Sequence, residues 1–125
     1  MKIVDAGVVV ELLAGRLDPR KLGDEELACP HLIDSEVTHV LRGLMSRGAL
    51  SEEQGALALE GFIELTMTRF PTDWLRRRIW ELRHNLGGYD ATYVALAELT
   101  GASALLTTDT RLARAPGTRC RIDLV

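Results

Sequence analysis

The stretch Ala104-Leu105-Leu106-Thr107-Thr108-Asp109-Thr110-Arg111-Leu112-Ala113 runs from a short apolar segment into an acid, and from the acid into a short helical pattern. Four residues, Ala104 to Thr107, with no polar alternation read as a strand buried on both faces. Asp109 then stands just past the strand's carboxyl end, and Thr110 to Ala113 suit one helical turn. The start of the chain repeats this arrangement. Lys2-Ile3-Val4 is a short apolar run that ends in Asp5, followed by Val8, Val9, Val10, Leu12 and Leu13 as far as Gly15. The β-branched residues leave helix and strand open there. A helix is preferred, because Asp5 can cap it and Gly15 can end it.

Working outward, Leu17 to Glu26 is polar and interrupted by Pro19 and Gly23, as in a loop or short helix. Leu27 to Cys29 reads as a second strand closed by Pro30. Ile33, Val37, Val40, Leu41 and Leu44 recur at helical spacing, and Gly48 stops that helix. Ser51 with Gln54 makes a capping box that opens a helix carrying Leu59, Phe62 and Ile63. Met67 to Phe70 suits a strand ended by Pro71. Thr72 is expected to cap a helix with Leu75, Ile79, Leu82 and Leu86 on one face, terminated by Gly87 and Gly88. Tyr89 to Leu99 is an alanine-rich helix ended by Gly101, and Arg121 to Val125 a closing strand. Short strands alternating with helices predict an α/β fold in three layers, a central parallel β-sheet flanked by α-helices. No linker divides residues 1–125, so a single domain is expected. Sheets of this kind bind ligands beyond the carboxyl ends of their strands, where Asp5 and Asp109 fall.

Composition narrows the function classes. Apolar residues make up 46% and charged residues 26%, as in ordinary globular proteins. Nothing approaches the roughly 18 apolar residues of a membrane span, and Met1 to Asp5 reach an acid too soon for a signal peptide. A cytoplasmic protein is expected. Cys29 and Cys120 stand far apart with no CxxC, and His31, His39 and His84 form no HExxH pattern, so no zinc site is indicated. The net charge of -3 argues against nonspecific coating of nucleic acid. It leaves room for a nuclease whose metal site supplies its own carboxylates. The chain has no GxSxG, no Walker loop and no GxGxxG. Arginines cluster at Arg76, Arg77, Arg78 and Arg83, and again at Arg111, Arg114, Arg119 and Arg121. Arg76, Arg77, Arg78 and Arg111 are candidate phosphate contacts, since a guanidinium suits bidentate recognition. A solvated helix face explains either cluster equally well.

Two further acids sit where core residues would be expected. Glu36 follows Ile33 by three and precedes Val40 by four, beside the apolar stripe of its helix. Asp90 precedes Val94 by four and Ala97 by seven. Inward charges are costly unless paired or bound to metal. Each acid also has a plainer explanation: a helix cap for Asp5 and Asp109, a favourable first-turn position for Asp90, an ion pair with Arg42 for Glu36. Brought together, four carboxylates would raise one another's pKa. A divalent cation resolves that conflict, and an all-oxygen donor set favours Mg²⁺ or Mn²⁺.

The order Asp5, Glu36, Asp90, Asp109 resembles that of the PIN domain, and more narrowly the VapC group of toxin ribonucleases. Four segments carry the resemblance: Ile3-Val4-Asp5, then Asp34-Ser35-Glu36-Val37 with Leu41-Arg42, then Tyr89-Asp90-Ala91-Thr92-Tyr93-Val94-Ala95-Leu96-Ala97, and Leu106-Thr107-Thr108-Asp109-Thr110-Arg111-Leu112. The resemblance implies a PIN-like three-layer fold and metal-dependent cleavage of RNA phosphodiester bonds, commonly in transfer or ribosomal RNA. It implies a homodimer and a cognate VapB-like antitoxin covering the active groove. It makes Asp5, Glu36, Asp90 and Asp109 the metal-site and catalytic acids. Asp5 and Asp90 would be the main ligands, Glu36 would hold a metal-bound water, and Asp109 would complete the site. The family often carries Ser or Thr two residues after its first Asp, where this chain has Gly7; Thr107 or Thr108 is the candidate supporting hydroxyl. A noncatalytic PIN-like module that binds RNA or an antitoxin, and an RNA-maturation nuclease, are the alternatives.

Overall fold

The computed structural model describes all residues, 1–125. Five parallel strands form one sheet: β1 (Lys2–Val4), β2 (Leu27–Pro30), β3 (Thr68–Phe70), β4 (Ala104–Thr107) and β5 (Ile122–Leu124), in the spatial order β3-β2-β1-β4-β5. The chain builds outward from β1 to β3 on one side, then crosses to β4 and β5 on the other. The strand order therefore reverses between β1 and β4, and such a switch point opens a crevice at the carboxyl ends.

Strand side chains alternate between two cores, as the period of two requires. Val4, Cys29, Ala104 and Leu106 face a layer made of α1 (Ala6–Leu13), α2 (Leu32–Ser46) and α3 (Glu52–Glu64). Ile3, Ala28 and Leu105 face α4 (Arg76–Glu81), α5 (Gly88–Thr100) and α6 (Thr110–Ala113). Three layers with a buried parallel sheet are what the apolar runs at β1 and β4 predict. No helix is long and apolar enough to cross a membrane.

Several helix ends have an identifiable cap. Asp5 caps α1 by accepting a 2.9 Å hydrogen bond from Val8 N. Ser51 and Gln54 cap α3 reciprocally, at 3.1 and 2.8 Å. Gly101, with φ of 66°, closes α5 in the left-handed conformation that glycine adopts without a Cβ penalty. Every side chain of α5 from Ala91 to Ala97 is buried. A helix that is apolar all round has to be enclosed; its small alanines bring it close to β1, β2 and β4.

Several sequence expectations are corrected. Thr72 makes no side-chain cap, and a 3₁₀ turn (Asp73–Leu75) precedes α4, which ends before Leu82. Gly87 and Gly88 do not terminate that helix: Gly87 caps α5 and Gly88 is its first residue. Val40 is 36% exposed, Leu59 43% and Ile63 66%, so the apolar stripes of α2 and α3 are wider than the core they serve. On α3 the buried positions are Gly55, Ala58 and Phe62. The thiols of Cys29 and Cys120 are both pushed up to about 11 by burial, and neither forms a disulfide.

Arg78 turns inward. Its guanidinium donates to both Glu98 oxygens, at 2.7 and 3.1 Å, and to Gly117 O at 2.9 Å. Burial works to raise the Glu98 pKa, but the bonds from Arg78 and Arg119 N outweigh it and hold that carboxyl below its ordinary range. Arg78 is thus an internal brace between α4, α5 and the segment before β5, and is unavailable to a phosphate. Arg78→Ala leaves Glu98 buried without its main counter-charge. We expect a loss of about 3 kcal/mol, measured by urea unfolding.

Candidate active site

The acidic residues meet at the carboxyl ends of β1 and β4. Asp5 follows β1 directly and caps α1. Asp109 stands two residues past β4 and caps α6, accepting from Arg111 N at 2.8 Å. Asp90 lies in the first turn of α5. Three of the four acids therefore occupy helix N-termini, whose dipoles favour negative charge. Glu36 comes from the second turn of α2, so the two helical layers both contribute.

Their electrostatics show which neighbours each one feels. Asp5, 8% exposed, has its pKa raised mainly by burial; bonds from Thr107 and Val8 oppose this, and the charges of Asp90 and Asp109 add to it. Glu36 is raised by burial first, with Tyr93 opposing and Asp90 and Asp5 reinforcing. Asp90 is raised by burial and then by Asp109, with Arg111 opposing. The charge of Asp90 thus bears on both Asp5 and Glu36, and that of Asp109 on both Asp5 and Asp90. As placed, no three of the His, Cys, Asp and Glu side chains close into a ligand set.

Two neighbouring groups hold the acids in position. Tyr93, 1% exposed on α5, donates its hydroxyl to Glu36 Oε1 at 2.7 Å. Burial and the Glu36 charge both push the phenol's pKa far up, so it stays a donor. This bond, and not the alternative ion pair with Arg42, is the one Glu36 makes. The sequence assigns Tyr93 no role; a single aromatic hydroxyl three residues after Asp90, in an otherwise aliphatic and alanine-rich stretch, is the signal. Thr107, fully buried, donates to Asp5 Oδ2 and accepts from Asp109 N at 3.0 Å. Its hydroxyl is committed within the protein, to the Asp5 carboxylate and to the backbone N–H of Asp109.

Thr108 has a different place. A Cβ built at Gly7 would lie 2.8 Å from Thr108 Oγ1 and 3.4 Å from Asp5 Oδ1. The hydroxyl of Thr108 thus fills the space beside Asp5 that a longer residue at position 7 would enter. Two surface hollows flank the acids. One, of about 270 Å³, is lined by Asn85, Leu86, Gly87, Asp90, Asp109, Arg111 and Leu112. The other, of about 420 Å³, is lined by Leu32, Ser35, Glu36, His39, Val40 and Tyr89. Arg111 is almost fully exposed, 4.0 Å from Asp109.

A raised carboxyl pKa in the fold means that protonation stabilises it. That contribution is complete below the unfolded value, about 3.9 for Asp, and is lost as pH rises through the folded value. In metal-free protein, Asp90→Asn should therefore raise the melting temperature most at neutral pH, and the gain should vanish below about pH 4. Thermal melts in chelator across that range check the sign.

Comparisons with known proteins agree with this architecture. The PIN domain family matches residues 2–117. Ribonuclease VapC1 of Mycobacterium tuberculosis is 44% identical over 129 aligned positions, covering 98% of this chain and 96% of its own. The crystal structure of PAE2754 from Pyrobaculum aerophilum superposes with a TM-score of 0.72 at 26% identity, over 98% of this chain and 83% of that one. VapBC2 from Rickettsia felis, solved bound to a DNA fragment from its promoter, gives a TM-score of 0.69 at 15% identity over 99% and 98%, a likeness of fold. With its parallel sheet, its four acids in order and a match along nearly its whole length, the chain belongs to the PIN domain family and, within it, to the VapC ribonucleases.

Proposed function

We propose that this chain is a Mg²⁺- or Mn²⁺-dependent endoribonuclease, the cytoplasmic toxin of a VapBC-type toxin–antitoxin pair. The observation that carries the reading is the placement of Asp5 and Asp109 just past the ends of β1 and β4, with Asp90 and Asp109 lining one adjoining hollow and Glu36 the other. Asp5 and Asp90 are the main ligands in this reading. Glu36, held by Tyr93, would position a water, and Asp109, whose carboxylate accepts from Arg111 N, would complete the site.

The donor set fits a hard cation. It is made of carboxylates alone; burial, and to a lesser degree neighbouring acids, raises the pKa values of Asp5, Glu36 and Asp90, and a divalent ion would offset both costs. When bound, the ion supplies Lewis acidity toward a phosphoryl oxygen and acidifies a water. The protein's own part is to hold charge at fixed points. Tyr93 restricts Glu36 to one orientation, Thr107 couples Asp5 to Asp109, and Arg111 offers a cation to a phosphate beside the acids. Arg76 and Arg77 remain candidate RNA contacts. The antitoxin reading rests on the family and on the VapBC2 neighbour. Leu57, Leu59 and Ile63, exposed along α3, support a protein partner, a second copy of the chain or the antitoxin.

Purified protein with Mg²⁺ or Mn²⁺ should cut total cellular RNA into discrete fragments. EDTA should abolish cleavage, and Asp90→Ala should slow it by at least about a hundredfold, since even groups behind metal ligands cost 10–100-fold. Persistent cleavage in EDTA would overturn the metal assignment. Tyr93→Phe keeps the ring in the core and removes the hydroxyl that holds Glu36. It should weaken Mn²⁺ binding about tenfold in calorimetry while leaving the far-UV circular dichroism unchanged.

A further inference from the structure

On the face that α4 turns to solvent lies a hollow of about 330 Å³, lined by Arg76, Ile79, Trp80, Arg83, Leu86 and Gly88. Trp80 is 65% exposed, an uncommon position for so large an apolar ring. The Arg83 guanidinium lies 4.2 Å from the centre of that ring, and its Nη1 donates to Trp80 O at 2.9 Å. Arg76 Nε donates to Asp73 O at 2.8 Å, which fixes the side chain's base. Neither guanidinium has a carboxylate partner. Two unneutralised cations and an aromatic plane thus share one concavity, in a chain whose net charge is -3.

The hollow adjoins the acidic centre. Leu86 lines both it and the hollow of Asp90, Asp109 and Arg111, and Gly87 and Gly88 form the saddle between them. A strand lying across the saddle would place one backbone group near Asp90 and Asp109 and a neighbouring nucleotide over Trp80. Aromatic rings and guanidinium planes are the surfaces on which proteins stack unpaired bases, and arginine forks suit the phosphate between.

We propose that this hollow is a nucleobase subsite, in which an unpaired RNA nucleotide flanking the cleaved bond stacks against Trp80 and Arg83 while Arg76 holds its phosphate. The proposal rests on the ribonuclease reading above and adds to it a place, beside α4, where one base next to the cleaved bond is held. A base inside a duplex, already stacked on both sides, would not reach the ring.

The test is fluorescence anisotropy with a short fluorescein-labelled single-stranded RNA of mixed sequence, in EDTA, with the same RNA annealed to its complement as control. Trp80→Ala should weaken single-strand binding about tenfold, and Trp80→Phe, which keeps an aromatic face, by less than about threefold. Arg76→Gln should reduce the slope of log affinity against log salt by about 0.7, the value for one phosphate contact on a single strand. Duplex binding should be weaker and unaffected by Trp80→Ala. Equal affinity of wild type and Trp80→Ala for the single strand, in protein that still cleaves RNA in Mn²⁺, overturns the subsite and leaves the ribonuclease reading intact. Wild type that neither binds nor cleaves RNA overturns both. Trp80→Ala that binds RNA normally but no longer holds a protein partner assigns the hollow to that partner and also overturns the subsite.

Discussion

Asp5, Glu36 and Asp90 set carboxylates into a buried sheet end; burial is the largest cost they carry, with one another's charge adding to it, and much of the local structure offsets that cost. Helix N-termini are aimed at three of the four acids. Two buried hydroxyls, those of Thr107 and Tyr93, are spent on orienting carboxylates. The arrangement keeps charge concentrated where an apolar contact would have stabilised the fold more. Such a local conflict is expected at functional sites, where stability is exchanged for chemistry.

The parallel sheet makes this concentration possible. Strand order reverses between β1 and β4, so the two acids that follow those strands open into the same crevice. Because β1 and β4 are buried on both faces, their side chains leave no slack for a shift in register: one residue of slip would exchange the two cores. The acids are therefore placed by the packing of residues such as Ile3, Val4, Leu105 and Leu106, far more than by contacts of their own.

Much of this was legible in the sequence, and the reasons are local. The strand-acid-helix pattern at Ile3-Val4-Asp5 and at Leu105 to Asp109, the capping box at Ser51, and the glycine stop at Gly101 are all written in short stretches of chain. The α4 region was misread because a leucine period from Leu75 to Leu86 continues through a 3₁₀ turn and past the helix end; the period records burial, and the backbone changes beneath it. Val40, Leu59 and Ile63 showed helical spacing without burial, since periodicity cannot say how far a neighbouring layer extends. Arg78 and Arg77 are adjacent in sequence, yet only Arg78 meets Glu98. The order of the acids could be read, but the bond from Tyr93 to Glu36 joins residues 57 apart and needed the fold.

That bond runs between α2 and α5, which lie on opposite sides of the sheet, and it closes the two outer layers across the carboxyl edge like a clasp. The opposite edge has no such side-chain tie between these helices. Local openings of a protein follow the contacts that cost least to break, so a displaced Glu36 would let the layers part at the acidic rim first. Amide hydrogens in the first turns of α2 and α5 would then exchange together, as one cooperative unit, while the middle of the sheet stayed protected.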